Sequence, residues 1–116
     1  MLNGSEIIIN GDGKQERDYL YVDDVVKANL NALTKADGNI YNLGTGITTN
    51  VIEIFSYLKE ITGYKLKPLF GPAKKGEVNR SCLSIEKIKK SWDWKPEYTI
   101  SQGLENTVRF IEENEI

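Results

Sequence analysis

The chain has 116 residues, 40% of them hydrophobic and 28% charged, with a formal net charge of −2 and a pI near 5.2. That is one domain's length with an ordinary globular balance, and it gives no electrostatic case for a nucleic-acid or membrane partner. With no histidine and a lone cysteine, Cys82, an internal disulfide, a Cys/His nucleophile pair and the usual zinc sets are excluded.

The start, MLNGSEIII, lacks the basic residues and apolar core of a signal peptide, and no apolar run approaches the ~20 residues of a membrane span. The expected compartment is the cytoplasm. Cys82 reads as a small buried residue.

Glu6 to Asn10, bounded by Gly4 and Gly11, reads as a short strand built on Ile7, Ile8 and Ile9. Gly11 and Gly13 then supply a sharp turn. From Arg17 to Val22 the residues alternate, so a strand would put Arg17, Tyr19 and Tyr21 on one face and Asp18, Leu20 and Val22 on the other. Arg17, at the root of that aromatic strand, offers a fork of donors suited to a diphosphate; pairing with Asp18 or plain solvation is the alternative.

Asp23 or Asp24 is expected to cap a helix from about Asp24 to Ala36, with Val26, Leu30 and Leu33 inward, Lys27, Asn31 and Lys35 outward, and Gly38 as its stop. Ile40 to Leu43 reads as a further strand, leading into the turn Gly44-Thr45-Gly46. Asn50 and Glu53 form a capping-box pattern for a helix whose inner face is Val51, Ile54, Phe55, Leu58 and Ile61, ending at Gly63.

Lys65 to Phe70 contains Pro68, which places this strand at an edge. The loop Gly71 to Glu77 gathers Lys74, Lys75 and Glu77 around Gly76. A short helix is expected after Ser84 with Ile85 and Ile88 inward, and Trp92 and Trp94 read as packing residues before Pro96. Ser101 is the expected cap of a last helix carrying Leu104, Val108 and Ile111, with Glu105 and Arg109 as an i,i+4 pair. The fold class is therefore α/β, an α+β-like small domain of short strands and about four helices.

Three runs in this order, GDGKQERDYLYVDDV, IYNLGTGITTNVIEIF and GPAKKGEVNRSCLSIEKIKKSWDWKPEYTISQGLENTV, resemble a known family. It is the NAD-dependent nucleotide-sugar epimerases and dehydratases of the extended short-chain dehydrogenase/reductase superfamily, the UDP-glucose 4-epimerases most of all. The resemblance is to the C-terminal, substrate-domain part, without the main Rossmann half. It implies that residues 1–116 form a single partial domain that holds a nucleotide sugar, a UDP-sugar by preference.

On that resemblance Arg17 contacts the diphosphate, and the strand through Ile8 and Asn10 lays its backbone beside the base. Lys74 stands where the family has a phosphate-gripping arginine, and Glu77 matches an acid that bonds ribose hydroxyls. Lysine keeps the charge but loses the bidentate fork. Asn10 replaces a common aromatic residue, so stacking on the base would be lost.

The family's chemistry is hydride transfer through NAD, with a tyrosine base assisted by a lysine four residues on. None of the six tyrosines here is followed by such a lysine, and no glycine set matches a dinucleotide turn. The expectation is a chain with no catalytic, cofactor or metal residues of its own, inactive alone, with NAD implied only for a full-length parent. Met1 to Gly4 reads as the tail of a helix, which suggests a fragment. A homo-oligomer or a separate Rossmann half is the expected protein partner, because the strand Ile40 to Leu43 would leave an apolar edge open. A non-catalytic binding module, a degenerate remnant, and a fragment of a dehydratase or decarboxylase are the alternative readings.

Overall fold

The computed structural model describes residues 1–35 and 38–114. Among them the elements run β1 (Ile8–Asn10), β2 (Glu16–Arg17), α1 (Val22–Lys35), β3 (Thr49–Asn50), α2 (Val51–Thr62), β4 (Leu69–Gly71), β5 (Arg80–Ser81), α3 (Glu86–Trp92) and α4 (Ile100–Glu113).

The strands make two small sheets. β1 pairs in parallel with β4, Ile8 opposite Leu69 and Asn10 opposite Gly71. β2 is the middle of the other sheet, antiparallel to β3 and parallel to β5, with Glu16 opposite both Asn50 and Arg80. Between β1 and β2 the chain turns through Gly11 and Gly13. Gly13 has φ 72°, and a Cβ there would lie 2.7 Å from Ile52, so the turn needs glycine twice over. Pro68 precedes β4, as an edge strand allows.

α2 forms as its local sequence dictates. The Asn50 side chain accepts from the Glu53 N–H, the Glu53 carboxylate accepts from the Asn50 N–H, and Gly63 closes the helix at φ 66°. Its apolar face packs on α4 and β1: Ile9, Phe55 and Tyr64 form one buried cluster, the two rings edge-on at 6.2 Å. The second cluster is Ala28, Ile85, Ile88 and Trp94, with Trp92, Tyr41, Leu20 and Leu43 around it. Both tryptophans are thus packing residues, and Ile85 and Ile88 point inward from α3.

Several expectations are corrected. The aromatic strand stops at Arg17, because Asp18 turns its carboxylate to the loop at Thr45 and the chain enters α1 at Val22. Tyr21 packs instead on Tyr98, centroids 4.7 Å apart, and against Gly103. Ile40 to Leu43 is no strand; the Ile40 carbonyl accepts from Lys87 Nζ at 2.9 Å. Thr99, not Ser101, caps α4, in a capping box with Gln102. Glu105 takes a hydrogen bond from Ser101 in place of the Arg109 pairing. Asp93, left-handed at φ 53°, ends α3 ahead of Pro96. Cys82 is only half-buried.

α1 departs most. Neither Asp23 nor Asp24 caps it: Asp24, 1% exposed, accepts from the N–H groups of Glu97 and Tyr98 at 2.9 and 3.3 Å and pins the helix to that segment. Its inner face is Asp24 and Ala28, whereas Val26, Leu30 and Leu33 face out, the last two 59% and 79% exposed. The expected end at Ala36 lies outside the described residues.

The whole is flat, with extents of 48 × 36 × 18 Å and a radius of gyration of 16.6 Å, where a compact chain of this length has about 13 Å. Its accessible surface is 8198 Å2 against about 6,400 Å2 for a folded monomer of this mass. Among the described residues two thin cores, not one, are formed.

Candidate functional site

The two sheets bring the far-apart runs of the sequence together. β1 delivers Asn10, the glycine turn delivers Asp12, Lys14 and Gln15, and the loop between β4 and β5 delivers Ala73, Lys74, Glu77 and Asn79. These residues line a cleft of about 600 Å3. Its shape is fixed by main-chain bonds: Gly11 N–H donates to the Gly71 carbonyl at 3.0 Å, and Glu16 N–H to the Asn79 carbonyl at 2.8 Å. Gly76, at φ 81°, lets the loop fold back so that Glu77 N–H reaches the Lys74 carbonyl at 3.3 Å.

Arg17, on β2, does not line this cleft but touches one of its lining residues. Its Nη2 stands 3.7 Å from Glu77 Oε1, and its Nη1 donates to the Glu16 carbonyl at 2.7 Å. The partner is thus Glu77, not Asp18. Both side chains are about a third exposed, where an ion pair is worth about 0–1 kcal/mol, so an incoming anion can displace the carboxylate.

Of the five residues singled out in the sequence, Asn10, Lys74 and Glu77 line this cleft, and Arg17 is joined to it only through its ion pair with Glu77. Ile8 does not line the cleft. Its side chain, 64% exposed, lines a neighbouring apolar groove with Val51, Phe55 and Leu58, while Asn10, Gln15 and Glu77 border both spaces. Lys14, Gln15 and Asn79 were not foreseen. Gln15 Nε2 donates to the Asn10 carbonyl at 3.2 Å and so fixes the end of β1; polarity within a glycine turn was its only sequence signal.

The turn Gly44-Thr45-Gly46 is closed to phosphate. Asp18 accepts from Thr45 N–H at 2.8 Å, from the Thr45 hydroxyl at 2.6 Å and from Gly46 N–H at 2.9 Å. Partial burial pushes the Asp18 carboxyl up, but these bonds and one from the Leu83 main chain outweigh it and hold the group below the ordinary carboxylate value. With those N–H groups taken and no Tyr-x-x-x-Lys in the chain, the residues present do not fit NAD. Cys82 Sγ lies 4.0 Å from the same carboxylate.

Residues 1–44 match the NAD dependent epimerase/dehydratase family. The UDP-glucose 4-epimerase of Thermotoga maritima, solved with UDP-glucose, superposes on the whole chain with a TM-score of 0.95 and 45% identity, using 38% of its own length. This chain belongs to the NAD-dependent epimerase/dehydratase family. Within it, the chain is 34% identical over 96% of its length to the UDP-glucose 4-epimerase of Mycolicibacterium smegmatis, spanning 36% of that protein. The dTDP-glucose 4,6-dehydratase of Bacillus anthracis, solved with NAD, matches 98% of it with a TM-score of 0.88 and 33% identity, again over 36% of that chain.

The chain therefore spans under two fifths of these relatives, and its fold is that of the C-terminal part of the extended short-chain dehydrogenase/reductases. Among the described residues, no helix is long and apolar enough to cross a membrane.

Proposed function

We propose that residues 1–116 act as the sugar-nucleotide-holding domain of an NAD-dependent UDP-glucose/UDP-galactose 4-epimerase. Arg17 and Lys74 neutralise the diphosphate, Glu77 accepts from the ribose hydroxyls, and the main chain through Ile8 and Asn10 borders the base. The observation that supports this reading is that Lys74 and Glu77 line one cleft with Asn10 and that Arg17 pairs with Glu77 at 3.7 Å. Hydride transfer belongs to NAD, which this chain's residues do not fit, so its own contribution is to bind and orient the substrate.

The residues that line the cleft belong to this chain, and on this reading the isolated chain keeps affinity for the nucleotide. Calorimetry with UDP at millimolar concentration is expected to give saturable heat that Arg17→Ala removes. No heat from the unaltered chain overturns the proposal. The similarity to the Bacillus anthracis dehydratase supports a dehydratase parent as the second reading, and tighter binding of dTDP than of UDP in the same cell would favour it.

A further inference from the structure

We infer that Lys14, on the glycine turn, is a further phosphate ligand of the cleft and closes with Lys74 on a diphosphate, each lysine taking one phosphoryl group; the inference rests on the nucleotide reading above.

The first observation is where the two lysines start. Gly11 lies so close to Ala73 that a Cβ on it would stand 3.4 Å from the Ala73 Cβ, and Gly11 N–H donates to the Gly71 carbonyl at 3.0 Å. Lys14 follows Gly11 by three residues and Lys74 follows Ala73 by one, so two segments leaving one point carry the two ammonium groups. Both residues line the same cleft.

The second observation is that both are held at the main chain. Lys14 N–H donates to Asp12 Oδ1 at 3.0 Å. The residue before it, Gly13, gives its carbonyl to Ile52 N–H at 3.2 Å, which fastens the turn to the start of α2. Lys74 gives its carbonyl to Glu77 N–H at 3.3 Å across the turn at Gly76. Closing on a ligand then orders side chains more than main chain, which keeps its entropic cost low.

The third observation is charge. Of the acids that line the cleft, Asp12 already accepts from Lys14 N–H and Glu77 faces Arg17. Among the described residues neither Lys14 Nζ nor Lys74 Nζ has an ion pair or a hydrogen bond. Arg17 is joined to the cleft only through Glu77, so the cations that line it are these two lysines. A lysine is a compact point charge that does not fork across one phosphate as arginine does. Two of them suit two linked phosphoryl groups, whereas a monophosphate fully occupies one.

Exposed lysines also attract anions without binding them at a site, and Lys75 separates the two cases. It carries the same charge next to Lys74 in the same loop but does not line the cleft.

The test is calorimetry with UDP, UMP and inorganic pyrophosphate on the chain and on Lys14→Ala, Lys74→Ala and Lys75→Ala. All three side chains are exposed, so the variants are expected to fold as the chain does. Lys14→Ala is expected to weaken UDP and pyrophosphate about 10-fold, as Lys74→Ala does, and UMP by less than about 3-fold. Lys75→Ala should leave all three within about 2-fold.

UDP bound by Lys14→Ala as tightly as by the unaltered chain overturns the inference and leaves the nucleotide reading standing. Equal losses from Lys14→Ala and Lys75→Ala reduce Lys14 to general charge and overturn it too. Pyrophosphate bound through Lys14 by a chain with no preference for UDP keeps the clamp and removes the nucleotide reading. No heat from either ligand removes both.

Discussion

The Arg17 guanidinium, on β2, lies 3.7 Å from the carboxylate of Glu77, a residue that lines the cleft. The two proposed ligand groups are therefore each other's partner before any nucleotide arrives. Arg17→Ala is expected to weaken UDP binding about 10- to 100-fold, the worth of a lost charge-assisted bond. Glu77→Gln separates the roles: it frees Arg17, so inorganic pyrophosphate should bind more tightly while the preference for UDP over pyrophosphate shrinks. Calorimetry with both ligands reads the two effects, and a parallel loss of both affinities would contradict the assigned roles.

Asp18 ties β2 to the Gly44–Gly46 turn, and its folded pKa is depressed. The sign follows. Stability from this group is present above its unfolded value, near 3.8, and is lost as pH falls through the lower folded value. Asp18→Asn is expected to lower the melting midpoint at neutral pH and to flatten its fall on acidification. Gly44→Ala should mimic the neutral-pH loss, since a Cβ there would sit 2.6 Å from Asp18 Oδ2. Melting curves from about pH 7 to 2 test both, and parallel curves for Asp18→Asn and the unaltered chain would refute the account.

Asp24 is the buried charge that joins α1 to the segment at Glu97 and Tyr98. Truncation to alanine strands two N–H donors and is expected to cost about 2–4 kcal/mol in urea unfolding. Asparagine, which keeps an acceptor oxygen, should cost less than alanine.

At the start of α4, Thr99→Ala is expected to cost about 1 kcal/mol, as the loss of a capping side chain does. Ser101→Ala should change stability by under about 0.5 kcal/mol. Denaturant midpoints of the two variants decide which residue starts the helix.

What could be read in the sequence divides along the same line as these residues. The α2 box of Asn50 and Glu53 was legible because both its partners are local. The cap of α4 was not, because Asp24, more than seventy residues earlier, fixes the chain at Glu97 and Tyr98 and so places Thr99 first. Periodicity found the apolar row of α1 but assigned it inward, since a pattern tells which side chains favour burial and not what stands in front of them. Ile40 to Leu43 has strand propensity, yet a strand needs a neighbour, and the Ile40 carbonyl takes Lys87 instead. The meeting of Arg17 with Glu77 depends on β2 pairing with β5, Glu16 opposite Arg80, which no local spacing announces. Family resemblance had placed Arg17 at the diphosphate and Glu77 at the ribose hydroxyls of one nucleotide; only coordinates give their distance.

The split core has a thermodynamic consequence. One hydrophobic nucleus, around Ile9, Phe55 and Tyr64, anchors β1; the other, around Ala28, Ile88 and Trp94, lies with α1 and α3, and the β4–β5 loop that walls the cleft runs from the first sheet to the second. The free chain is expected to melt in two calorimetric steps. A nucleotide lodged in the cleft would rivet the halves, merging those steps into one cooperative transition.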